Sequence, residues 1–347
     1  MRYTNVNIVG MGYQLAPNVV TSNDLEQRLV PVYEALHFQP GQLEALTGIA
    51  ERRYWDQDVR LSETAVSAAE KALAAAHLPP EAMGMLIYGG VCRENLEPAT
   101  ACAVADGLGL GPDTQIYDVS NACLGMLNGM VQIANAIELG QIEAGMVVSS
   151  ESSRQIVEMT IERLLENPTM NIFKETIATL TGGSGAAAMV LSRDDASGAH
   201  RHRLLGGAIR SATQHHRLCT WGPDTGIPAS RPHVMNTDSV GVLKYGVELG
   251  IQTFQALRRT MNWEGNQPDK IICHQVGSTH QRTILDSIGI DVAKDFTTYR
   301  YLGNMGTVSL PITAAIADQR RFLQSGDWVG FLGIGSGLNC IMLGIQW

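Results

Sequence analysis

Apolar positions along the chain follow two rhythms: short unbroken runs of four to seven residues, and longer stretches with apolar residues three and four apart. The first predicts strands buried on both faces, the second helices packed by one face. Residues 5–12 predict a first strand and turn, and residues 22–29 and 42–46 predict helices. A strong alanine-rich helix over 62–77 stops at Pro79 and Pro80. MLIYGGV, residues 85–91, predicts a buried strand opening into the loop CRENLEPAT, and a helix resumes over 100–108. Tyr117, Asp118 and Val119 close a strand, Ser120 and Asn121 supply turn chemistry, and Leu124, Leu127, Met130, Val131 and Ala134 continue at helical spacing. GMVVSS at 145–150 is another buried strand, residues 157–174 an irregular helical excursion broken at Pro168, and GGSGAAAMVLS a glycine turn feeding a strand.

The later chain repeats this order. KIIC (270–273) is a strand ending at the loop HQVGSTHQ, YLGNMGTVSLPITAAIADQ is a turn leading into a helix, DWVGFL is a strand, and GIGSGLNCIMLGIQW is a glycine turn and strand. Such a repeat predicts a duplicated α/β unit, residues 1–195 and 196–347, with two packed sheets and helices between and outside them. Residues 196–240, with His200, His202, His215, His216, Cys219 and Trp221, read as a joint plus pocket-lining loops.

Composition narrows the function classes. The 347 residues carry 25 basic and 34 acidic side chains, net −9, with no basic run, so a nucleic-acid partner is not expected. The apolar patch before Gly10 is too short for a signal segment or a membrane span, and a cytoplasmic protein is expected. Six cysteines are scattered without metal-ligand spacing, which supports neither a disulfide framework nor a metal site. GGSG lacks the lysine and spacing of a phosphate loop and reads as packing.

Cys123 stands where a strand turns into a helix. Unpaired N–H groups and the positive helix end there favour a thiolate, hence a nucleophile, whereas most free cysteines are simply buried apolar residues. His274 and Asn304 occupy corresponding post-strand positions in the second repeat, so the three can converge, although each alone fits a capped core histidine or a turn residue. His280 is expected to point elsewhere and Cys273 to face the core. Arg52, Arg53 and Trp55 form a cluster that could hold the phosphates and base of a nucleotide-tailed ligand, or else a solvated elbow. Glu97 in its loop is either a general base or a cap on the following helix.

The strings DVSNACLGMLNG, CHQVG, YLGNMGTVSLP and GIGSGLNC, in order and spacing, are similar to the active-site motifs of the thiolase superfamily on its 3-ketoacyl-ACP synthase III branch. Within that branch RRYWDQD, LEPAT, SNACLGMLNGM and IGSGLNC most resemble the enzymes that condense two fatty acyl-CoA molecules at the start of bacterial long-chain olefin synthesis. The resemblance implies a duplicated five-layered αβαβα fold of the α/β class and a homodimer. It implies Cys123 as acyl-accepting nucleophile, the N–H groups of Cys123 and Ser336 as oxyanion hole, and His274 and Asn304 as donors to the enolate of a second substrate. Glu97 matches the glutamate that removes the α-proton, reaching the partner subunit's site. No cofactor is implied beyond coenzyme A carried by the substrate; an acyl carrier protein or downstream pathway enzymes are candidate partners. The branch usually continues His-Gln-Ala-Asn where this chain has His274, Gln275, Val276 and Gly277. Decarboxylative condensation of acyl-CoA with malonyl-ACP is the alternative activity, and a non-catalytic acyl-binding subunit a third reading.

Overall fold

The computed structural model describes residues 1–193, 202–222 and 234–347. Nine strands make one sheet: β1 (Asn7–Leu15), β2 (Met85–Gly89), β3 (Gln115–Val119), β4 (Ala144–Glu151), β5 (Gly185–Ser192), β6 (His202–Ser211), β7 (Lys270–Cys273), β8 (Trp328–Gly335) and β9 (Asn339–Gln346). Their spatial order is β3-β2-β4-β5-β1-β6-β9-β8-β7. In the first half β2 pairs parallel with β3 and β4, while β4, β5 and β1 pair antiparallel. The second half repeats this: β7 pairs parallel with β8, and β8, β9 and β6 pair antiparallel. The counterpart of β3 shrinks to one parallel bridge between Ile271 and Asp295. At the seam β1 and β6 pair at Asn7↔Arg203 and Ile8↔His202 among the described residues, and the residues before β1 continue the join, with Arg2 bridging Gly206 and Tyr3 N donating to Leu205 O at 2.9 Å. The expected junction at 195 and 196, and His200 with it, lies outside the described residues.

Six main helices fill three layers: α1 (Leu61–Ala76), α2 (Thr100–Leu108), α3 (Gly125–Glu138), α4 (Ser239–Met261), α5 (Ser278–Ile288) and α6 (Ser309–Gln319). The period-two alternation of the strands assigns their faces. Ala186, Ala188 and Val190 of β5 pack with α1 and α2, whereas Ala187, Met189 and Leu191 join the core that holds α3 and α6. Phe331, Ile341 and Leu343 turn to that same central core, while Leu332, Cys340 and Met342 face α4 and α5. The layers are therefore α1/α2, the first-half strands, α3/α6, the second-half strands and α4/α5. Helices α3 and α6 are buried nearly all round, as a helix sandwiched between two sheets must be. No helix among the described residues is long and apolar enough to cross a membrane.

Local predictions hold with shifted ends. The excursion over 157–174 is two helices, Arg154–Glu166 and Met170–Thr176, broken around Pro168 as its ring requires. Residues 51–54, expected as part of a ligand-binding cluster or else a solvated elbow, form a short strand paired with Asn18–Thr21.

Candidate active site

Strand β3 delivers the chain to Cys123 through a sharp elbow. Ala122 is left-handed at φ 47, a conformation costing an L-residue about 1–2 kcal/mol, which the surrounding contacts must offset. The start of α3 lies against the end of β2 at backbone contact: a Cβ on Gly125 would come 2.7 Å from the Gly89 carbonyl. Only glycines on both sides let the helix approach so closely. A chain of amides then ties the elbow to the β8–β9 turn. Asn121 Nδ2 donates to Asn128 Oδ1 at 2.7 Å, and Asn339 Nδ2 donates to Asn121 Oδ1 at 3.0 Å and to Ser336 O at 3.3 Å.

Cys123, His274, Asn304 and Ser336 line one cavity of about 450 Å³. Its walls are mainly apolar, with Leu243, Val247 and Ile284 among them, and Cys219 and Met235 of the joint contribute. Such a cavity suits an alkyl chain with a few polar groups at one end. His274 follows β7, its N–H donating to Leu332 O at 3.0 Å. Asn304 is pinned by its main chain, N–H to Thr181 O and O from Gly183 N, both at 2.9 Å. Its Oδ1 accepts from Gly306 N at 3.1 Å, which leaves the donor end of the amide for the cavity. The positive-φ residues of that turn are Gly303 and Gly306, at φ 66 and 58, and not Asn304.

Burial sets the protonation states. The Cys123 thiol is pushed up to about 12 by desolvation, with Cys219 and Glu151 adding to it. The expectation of a resting thiolate is thereby corrected: Cys123 precedes Leu124, the N-cap of α3, and the apolar cavity outweighs the helix end. His274 is held down to about 4 by desolvation and then by His280, so its imidazole is neutral at pH 7. His280, expected to point away, lines the same cavity. Helical phase begins only at Ser278, so no helical spacing relates it to His274. Cys273 is buried in the outer core and also borders the cavity.

The Arg52, Arg53 and Trp55 cluster is structural, which corrects its reading as a surface for a nucleotide tail. Arg52 is 0% exposed and donates to Ser22 Oγ at 3.1 Å. Trp55 is 4% exposed, with Nε1 donating to Glu151 O at 3.1 Å. An indole with no free face cannot stack on a base. Arg53 is half-buried and reaches Ala16 O at 3.4 Å.

Glu97 is exposed and lies outside this cavity. Its loop is tethered before the tip, where Val91 and Cys92 donate to Glu151 and Glu94 accepts from Ser62 N and Oγ at 2.7 Å, and after it, where Thr100 N donates to Asp118 at 2.9 Å. The tip between them projects, with Leu96 56% exposed. Capping of α2 is done by Asp118, which accepts from Thr100 N and Ala101 N at 2.9 Å. Gly277 explains the departure from His-Gln-Ala-Asn: its φ is 156, and a Cβ there would stand 2.7 Å from Thr47 O. An asparagine does not fit.

A duplicated five-layered fold with a cysteine, a histidine and an asparagine around one acyl-sized cavity defines a thiolase-superfamily condensing enzyme, an acyltransferase. The family model for 3-oxoacyl-[acyl-carrier-protein] synthase III matches residues 117–210, and its C-terminal model matches residues 259–347. An acyl-CoA:acyl-CoA alkyltransferase of Shewanella oneidensis is 51% identical, and one of Xanthomonas campestris 38% identical, each with all of both chains covered. A crystal structure of Xanthomonas campestris OleA with lauric acid and lauroyl-CoA bound, in which serine replaces a cysteine, superposes with a TM-score of 0.92 at 37% identity; it covers 99% of this chain and all of the other. A 3-oxoacyl-(acyl carrier protein) synthase III from Xanthomonas oryzae gives a TM-score of 0.92 at 38% identity, with both chains fully covered. The chain belongs to the acyl-CoA:acyl-CoA alkyltransferase (OleA) family within the synthase III branch.

Proposed function

We propose that this protein joins two long-chain acyl-CoA molecules by a non-decarboxylative Claisen condensation, through an acyl group held on Cys123. Cys123 gives its proton to neutral His274 as its sulfur attacks the first thioester, so that the thiolate disfavoured by burial is not populated beforehand. The N–H groups of Cys123 and Ser336 receive the tetrahedral oxyanion. The C–S bond to CoA breaks, and the CoA thiolate takes the proton back from His274. Glu97 of the partner subunit then removes an α-proton from the second acyl-CoA. His274 and Asn304 donate to the enolate oxygen, the α-carbon attacks the acyl-Cys123 carbonyl, the bond from that carbonyl to Cys123 sulfur breaks, and the departing sulfur is reprotonated as Glu97 gives up the α-proton. A 2-alkyl-3-ketoacyl-CoA and one free CoA result. The reading includes a cytoplasmic homodimer.

The observation that carries it is the assignment of α2 capping to Asp118, which leaves Glu97 projecting on a tethered loop with no local role. Gly277 adds support, since the synthase III pattern is interrupted beside His274 and Thr47 leaves no room to restore it. Decarboxylative condensation is the second reading, favoured by the equally close superposition of the Xanthomonas oryzae synthase III. Purified protein supplied with myristoyl-CoA alone should release CoA and give the condensed product by mass spectrometry. Turnover only when malonyl-ACP is added would select the second reading.

A further inference from the structure

Glu151 ends β4, is 5% exposed, and takes no part in the reaction as derived above. Its carboxylate is nonetheless the point where three segments of the site meet. Oε1 accepts from Val91 N at 2.9 Å and Oε2 from Cys92 N at 3.2 Å, both at the root of the loop that presents Glu97. The main-chain N–H of Thr307, three residues beyond Asn304, lies on the same side and favours its charge. Its Cδ lies 3.4 Å from where a Cβ of Gly306 would stand. Thr307 Oγ1 in turn accepts from Met126 N at 2.8 Å, in the first turn of α3 after Cys123. One buried carboxylate thus bridges the Glu97 loop to the Asn304 turn, and through Thr307 to the nucleophile's helix. A buried acid is costly to keep, and burial does push this carboxyl up despite the amides that favour its charge.

We propose that Glu151 is a positioning residue for condensation: it fixes the root of the Glu97 loop against the Asn304 turn, and so sets how each protomer presents its base to the neighbouring site. This rests on the reading of Glu97 as the base. Glutamine at 151 keeps the shape but turns an amide NH₂ toward main-chain donors, so at least one tether is lost and the loop root shifts.

The test is a double-variant cycle on the full-length protein, using myristoyl-CoA and measuring Cys123 acylation by mass and condensation per acylated cysteine. Counting acylated sites removes any fraction that fails to fold. Glu151→Gln should acylate within about threefold of wild type and condense about 10–100-fold more slowly, the scale of a misplaced group. Glu151→Asp, which keeps the charge on a shorter arm, should recover part of that loss. Adding Glu151→Gln to Glu97→Gln should slow condensation by less than about twofold further, because both act through one group. Multiplying losses in the double variant, equal loss of acylation and condensation, or wild-type condensation by Glu151→Gln beside a slow Glu97→Gln would each overturn the proposal while leaving Glu97 in place. Wild-type condensation by Glu97→Gln would overturn the reading of Glu97, and the route through its loop with it.

Discussion

Replacing Gly183 by alanine tests whether Asn304 serves condensation rather than acylation. A Cβ at 183 would stand 2.1 Å from Leu302 O, and real Cβ contacts essentially never fall below 3.0 Å, so the segment must retreat by about 0.9 Å. The obstacle is main chain, two residues before Asn304, and the Gly183 N–H that donates to Asn304 O at 2.9 Å moves with it. Displacing a donor by about 1 Å costs on the order of 10²-fold in rate. Cys123 and Ser336 lie on other elements and should keep their geometry. Gly183→Ala is therefore expected to be acylated by myristoyl-CoA within a few-fold of wild type and to condense about a hundredfold more slowly. Stopped-flow CoA release for the first half-reaction, and product formation for the second, separate the two. Condensation within threefold of wild type in a folded variant would refute the reasoning, as would equal loss of both steps.

Cys123→Ser should form almost no condensed product, since a buried hydroxyl is a still weaker acid than the thiol, and full labelling by radioactive acyl-CoA would refute the nucleophile. His274, held near 4 against about 6.5 unfolded, lets the unfolded chain bind the extra proton between those values, so stability rises with pH there. Acidifying from pH 7 to 4 should cost up to about 3 kcal/mol in urea titrations, and His274→Asn should flatten that dependence. The acid limb of acylation should likewise lie well below pH 6.5; a limb near 6.5 would show a solvated imidazole. Asn121→Ala breaks the amide chain to Asn128 and Asn339 and should lose about 1–2 kcal/mol and slow acylation more than substrate binding. Light scattering should give about twice 37.5 kDa; a monomer at micromolar concentration would leave Glu97 without a site to serve.

The duplicated architecture was legible because each half spells the same order of buried runs and turns, and β2 and β7 begin within a residue of their apolar runs. Cys123, His274 and Asn304 stood out through their equivalent positions after strands. Partnership across the fold was not legible. Arg52 and Trp55 look like a ligand surface in the sequence, yet β-pairing puts Arg52 on the inner face of a short strand, where Ser22 takes its guanidinium. At the helix end the local backbone favours a thiolate, but the cavity opposite, drawn from distant segments, desolvates the sulfur. Glu151 passed as the end of a strand because the groups that meet its carboxylate come from segments 59 and 156 residues away. A carboxylate closing an apolar strand, GMVVSSE, was the available signal.

The two halves meet through the sheet where β1 and the residues before it run beside β6. Beside the short ladder of β1 with β6 and the N-terminal residues that extend it, cohesion of the halves rests on the central layer, where α3 meets the turn before α6 through Met126 and Thr307. That layer also carries Cys123 at the head of one helix and Asn304 ahead of the other. The surface that keeps the two repeats together is thus the one that sets the distance between nucleophile and enolate donor. A substitution that loosens the layer without unfolding it should lower carbon–carbon bond formation and the melting temperature together. Cohesion of the fold and alignment of the reaction are a single variable here, open to selection from either side.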